Sequence, residues 1–131
     1  MLSQSQFDRL YRWSTIYDLI ITSPFATPWT FMLFMGVVHS SATGLGLPGE
    51  LPDLDIFHVF FANLMGSVVV IWALVRLKLR KAILLRYDAA ARYLFSTWML
   101  YALLSGANLF LVFMLVIEFS LAVLQSLPVR K

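Results

Sequence analysis

Residues 56–75, IFHVFFANLMGSVVVIWALV, contain no Asp, Glu, Lys or Arg. A run of that length matches the hydrocarbon core of a bilayer, which takes roughly 20 apolar residues per helix. In such a medium a lone segment must satisfy its own backbone amides, so the run is read as a helix. Residues 109–125, LFLVFMLVIEFSLAVLQ, repeat the pattern with a single charge, Glu118. PWTFMLFMGVVHSSATG and AAARYLFSTWMLYALL are two further apolar runs. With 60% hydrophobic residues in 131, almost the whole chain is needed for membrane crossings, and no room is left for a separate soluble catalytic domain.

Charge placement orients these runs. Arg9 and Arg12 precede the first; Arg76, Lys78, Arg80, Lys81, Arg86 and Arg92 lie between the second and third; Arg130 and Lys131 follow the last. The connection LGLPGELPDLD between the first two runs carries Glu50, Asp53 and Asp55 and no basic residue. The positive-inside rule then places both termini on the cytoplasmic side. The expected fold is an all-α membrane protein of one domain, 1–131: a four-transmembrane-helix bundle with an N-terminal interfacial amphipathic helix, both ends inside. The interfacial helix is expected over 3–21, with Phe7, Leu10, Trp13, Ile16, Tyr17 and Ile20 near helical spacing and Arg9, Arg12 and Asp18 elsewhere. The spans are expected at about 28–46, 55–76, 89–105 and 108–127.

Local signals set the ends. Pro24 and Pro28 separate the interfacial helix from the first span, Thr27-Pro28 reads as an N-cap with a first-turn proline, and GLGLPG closes that span. Asp53 or Asp55 caps the second span, Asp88 can cap the third, and Ser105-Gly106-Ala107-Asn108 forms a tight turn before the fourth, which Pro128 closes. One helix over 89–127 would measure about 58 Å, nearly twice the hydrocarbon thickness, so a hairpin is expected instead. The N-terminus, MLSQSQFDRLYRWS, lacks the apolar core and cleavage site of a removable signal peptide.

Three sets of residues can carry chemistry. Glu118 stands alone in an apolar run, where a carboxylate must be paired or protonated. A hairpin turning at 105–108 puts it level with Phe95 and about one turn from Arg92, whose long side chain can cover the gap. That geometry is read as an intramembrane Arg92–Glu118 pair that fixes helix packing, or as a proton or cation relay through Glu118. The second set is His39, His58 and Asp55, all in the outer half of the membrane. Asp55 and His58 are three apart, and with His39 they resemble a two-histidine, one-carboxylate metal site; the two histidines alone can ligate a b-type haem. Asp55 as a helix cap and the histidines as hydrogen-bonding residues are the simpler explanation. The third set is a small and polar stripe, Gly36 and Ser40 on the first span and Asn63, Gly66 and Ser67 on the second, which suits close helix packing in the bundle interior.

The absence of cysteine excludes disulfides, thiolate metal sites and thiol catalysis. The net charge of +3 sits beside the spans and is no nucleic-acid signal, although the basic run 76–86 can attract anionic headgroups. With no nucleophile–base cluster and no phosphate loop, the chain reads as a non-catalytic subunit or accessory component of a larger complex in the bacterial cytoplasmic (inner) membrane. Its expected partners are lipids and other subunits or further copies of itself. The alternatives are an electron-transfer anchor holding haem b or a divalent metal at His39 and His58, and an oligomeric proton- or ion-coupled carrier using Glu118.

Overall fold

The computed structural model describes residues 1–128, and every regular element in that range is helical. Arg130 and Lys131 lie outside the described residues. Helix α1 (Gln4–Thr22) opens on a capping box in which Ser3 Oγ accepts from the Gln6 amide and the Gln6 side chain accepts from the Ser3 amide. It runs into a 3₁₀ turn (Ser23–Ala26) containing Pro24, after which Thr27 caps α2 (Pro28–Gly44) with the proline in the first turn. The axis bends by 108° between the α1 segment and α2.

Asp55 caps α3 (Ile56–Leu79) by accepting from the His58 amide at 2.9 Å. The chain then turns sharply at Arg80, a non-glycine residue in the left-handed region (φ 47°), and enters α4 (Ala82–Leu104). A tight turn leads to α5 (Phe110–Ser126). Asp88 therefore sits inside α4, not at its start: the helix begins seven residues earlier than the apolar run suggests, because Ile83, Leu84 and Leu85 are good helix formers with no breaker among them.

The packing divides the molecule in two. Helices α4 and α5 form a closely packed hairpin, while α3 packs on the 3₁₀ turn and on α1; α3 and α4, adjacent in sequence, make little direct contact. At one end the halves are joined by the 45–55 connection and the α4–α5 turn: the Glu50 amide donates to Gly106 O, the Asn108 amide to Glu50 O, and Asn108 Nδ2 to the carbonyls of Leu47 and Gly49. Gly49 has φ 105° there, and a Cβ on it would fall 2.5 Å from Ala107 O. At the opposite end lie the N-terminus, the α3–α4 connection and the end of α5, where the Leu2 amide meets Pro128 O and Arg86 donates to the carbonyls of Gln125 and Leu127.

Gly66 marks the closest approach within the first half. A Cβ on Gly66 would lie 2.4 Å from Phe25 C, and Asn63 Nδ2 donates to Phe25 O beside it at 2.8 Å. By contrast Gly36 and Ser40 face outward and a Cβ on Gly36 meets nothing, so the α2 part of the expected interior stripe is not an interior face. Ser67 is also exposed.

Length and composition alone qualify only α3 as a membrane-crossing helix, with α1–α2 as a second candidate if the bent pair counts as one span. The four-span expectation is met only in part: α5 is apolar but 17 residues long, and α4 contains Arg86, Asp88 and Arg92.

Candidate functional site

Four helices each send charged side chains to one place. On α4, Asp88 and Arg92 are four residues apart and share a face; on α5, Glu118 and Gln125 are seven apart and do likewise. Arg76 comes from the last turns of α3 and Asp18 from the end of α1. All six are buried, Arg76 completely.

Arg92 is the hub. Its Nη2 reaches Asp18 Oδ1 at 2.6 Å, its Nε reaches Asp88 Oδ2 at 3.1 Å, and its Nη1 reaches Glu118 Oε2 at 2.5 Å. Arg76 pairs with Asp18 and, through Nη1 at 2.5 Å, with Asp88 Oδ2. Asp88 is further held by Gln125 Nε2 (2.9 Å) and by Trp72 Nε1 (3.1 Å), and the Tyr11 hydroxyl donates to Arg76 O at 2.9 Å. Three carboxylates thus face two guanidiniums, leaving a formal charge of minus one when all are ionised. At Glu118, Oε2 accepts from Arg92, and the Tyr17 hydroxyl of α1 lies within hydrogen-bonding reach of the same carboxylate. Gln125 Oε1, Ser96 Oγ and Arg76 Nε are buried without a hydrogen-bond partner among the described residues.

This network borders a cavity of 530 Å³ in the gap between α3 and α4. Asp18, Asp88, Arg92 and Glu118 supply its polar wall. The rest of the lining is apolar or aromatic, with Trp72 from α3 and Tyr87, Phe95 and Trp98 from α4. With few direct contacts between the two helices, the cavity is a half-open groove, neither enclosed nor flat.

Of the residues singled out from the sequence, Arg92 and Glu118 meet directly. His58 Nδ1 lies 2.9 Å from Asp55 Oδ1 in an exposed pair, while His39 lines a different, smaller cavity of 290 Å³ beside Asp53. Among the described residues no group of three or more His, Cys, Asp or Glu is placed to hold a metal ion, so the His39, His58 and Asp55 ligand set is not assembled. Asp18, Arg76, Asp88 and Gln125 were not expected in the site. The basic run 76–86 divides: Arg76 turns inward to the carboxylates and Arg86 caps α5, leaving Lys78, Arg80 and Lys81 exposed. The signal available for the missing residues was spacing, since Tyr11, Thr15 and Asp18 mark one helix face of α1, and Asp88 and Arg92 one of α4.

Comparison of the chain with models of known protein families, with curated proteins and with solved structures found no match.

Proposed function

We infer that this is an integral membrane protein crossing the bilayer four times, with the termini and the α3–α4 connection on the cytoplasmic side. In this reading it acts without catalysis, as a subunit or accessory component of an assembly in the bacterial inner membrane. The observation that carries the membrane part is the inversion of the usual burial pattern. The interior holds Asp18, Arg76, Asp88, Arg92, Glu118 and Gln125, while Leu33, Phe61, Val68 and Trp98 are each more than 60% exposed. In water such a surface is an association liability; in lipid it is the expected exterior, with intramembrane charges paired inside. The shorter helices are compatible with this reading. Seventeen residues, as in α2 and α5, is at the lower limit of about 17–25 for a span, and Asp88 and Arg92 of α4 point into the network instead of toward lipid.

The non-catalytic part is supported by the nature of the interior. Its carboxylates are tied to guanidiniums that fix four helices relative to one another, a packing role that buried ion pairs can serve. The exposed aromatic surface on α3 and α4 provides faces for neighbouring subunits. One observation favours a second reading, an oligomeric carrier: the surplus carboxylate at Glu118 gives the network a group that can take up and release a proton or cation.

Native mass measurement of protein extracted from its own membranes into nanodiscs separates the two. The subunit reading expects foreign polypeptides at fixed stoichiometry, and the carrier reading expects a bare homo-oligomer. A monodisperse monomer that retains full cellular activity contradicts both.

A further inference from the structure

We propose that the groove between α3 and α4 is a binding site for a lipophilic organic cation, whose charge is matched by the surplus carboxylate of the Asp18–Arg76–Asp88–Arg92–Glu118 network. Three independent features meet there. The first is size: 530 Å³ falls within the roughly 300–1,000 Å³ of small-molecule sites. The second is charge. The network that supplies the polar wall, Arg76 behind it included, carries a formal minus one when all its groups are ionised, and an unneutralised charge in a low-dielectric site is costly, so the site favours a cation and rejects an anion. Glu118 lines the groove, is 6% exposed and meets Arg92 through Oε2, so it is the carboxylate placed to face the ligand's charge. The Tyr17 hydroxyl is its neighbour on α1. The third feature is the aromatic lining. Trp72, Tyr87 and Trp98 line the groove, and aromatic rings attract a substituted ammonium or phosphonium.

The groove is half-open, and its mouth, if at the level of the lipid, admits a ligand already dissolved in the bilayer without passage through water. That route is where the inference rests on the membrane reading. The ligand's chemistry does not depend on that reading, because cavity, charge and rings belong to the fold itself.

The test uses the full chain in phosphatidylcholine nanodiscs, with empty nanodiscs subtracting bilayer partitioning. The probes are tetraphenylphosphonium and tetraphenylborate, which share shape and differ in charge. Equilibrium dialysis is expected to give saturable binding of one tetraphenylphosphonium per chain, with quenching of tryptophan fluorescence, and no saturable binding of tetraphenylborate. Glu118→Gln is expected to weaken the cation by about tenfold or more. Trp98→Ala, on an exposed wall where folding is not at stake, is expected to weaken it about threefold. Glu50→Gln, at the far end of the molecule, leaves binding unchanged. Equal saturable binding of both probes marks a groove for lipid chains and overturns the proposal. So does a cation affinity that ignores both Glu118→Gln and Trp98→Ala, or the lack of saturable cation binding to protein whose helix content is intact. Any of these alongside a normal four-span labelling pattern removes the cation and leaves the membrane reading standing.

Discussion

Replacing Arg92 by glutamine should damage this protein more than any other single change in its interior. Arg92 contacts three carboxylates at 2.5, 2.6 and 3.1 Å, and without it Asp18, Asp88 and Glu118 share Arg76 alone, a formal charge of minus two. Removing one partner of a buried pair costs about 3–5 kcal/mol because the other charge is stranded, and the upper part of that range applies to a residue serving three partners. Glu118→Gln is the opposite case. It forfeits one charge-assisted contact, about 1.5–3 kcal/mol, but it also brings the network to neutrality, so its net cost should be less than half that of Arg92→Gln. In the double variant two carboxylates face one guanidinium, which restores the original formal charge and recovers at least about 1 kcal/mol relative to the sum of the single changes. Reversible unfolding in bicelles, run as a double-mutant cycle, measures all three values. Strict additivity, or a larger cost for Glu118→Gln than for Arg92→Gln, would refute the surplus-carboxylate account.

Other consequences are local. Gly66→Leu should destabilise the protein by about 2 kcal/mol or more, since the new side chain meets the backbone of the 3₁₀ turn at Phe25 and Ala26, whereas Gly36→Leu, in open space, should change little; thermal unfolding in detergent compares them. Arg80→Gly should raise stability by about 0.5–1 kcal/mol in the same assay, because glycine adopts the left-handed conformation at no steric cost. The His58 amide holds the Asp55 carboxyl below its ordinary range. Its support of α3 is therefore complete above the usual carboxylate pKa and fades as pH falls through the lowered value. The protection of the His58 amide against hydrogen exchange, taken relative to its intrinsic rate at each pH, should fall on acidification below that range, and Asp55→Asn, an uncharged cap, should make that protection independent of pH without fraying the helix.

The sequence made helices, topological signals and caps legible because each is written locally. Thr27-Pro28, Asp55 and the 105–108 turn are short-range devices and stand where their residue types require. The Arg92–Glu118 contact was legible through the hairpin register. Asp18 and Arg76 were not, because what brings them together is the approach of α1 to α3, a tertiary event set by Gly66, Asn63 and the 3₁₀ turn and carried by no local pattern. Asp18 also lies on the other side of α1 from the apolar stripe of Trp13, Ile16 and Ile20, which is exposed while the Tyr11, Thr15 and Asp18 side is buried. Phe7 of the expected stripe is buried and Arg9 and Arg12 opposite it are exposed, so amphipathicity misplaced the buried face only toward the Asp18 end of the helix. In a membrane interior the polar stripe is the one that turns inward. The same inversion explains why Arg76 read as part of a basic run facing anionic headgroups when it is the most deeply buried charge among the described residues.

The central claim, four crossings with the basic end inside, is tested most directly by cysteine accessibility, for which the cysteine-free chain needs no background removal. Single cysteines replace Asp53 and Ala107 at the end where the 45–55 connection meets the α4–α5 turn, and Ser5 and Ala82 at the end holding the N-terminus and the α3–α4 connection. In intact cells an impermeant maleimide is expected to label the Asp53 and Ala107 variants, while those at Ser5 and Ala82 react only after the membrane is opened. Labelling of the Ser5 or Ala82 variant in sealed cells, or protection of Ala107 while Asp53 reacts, would contradict the account.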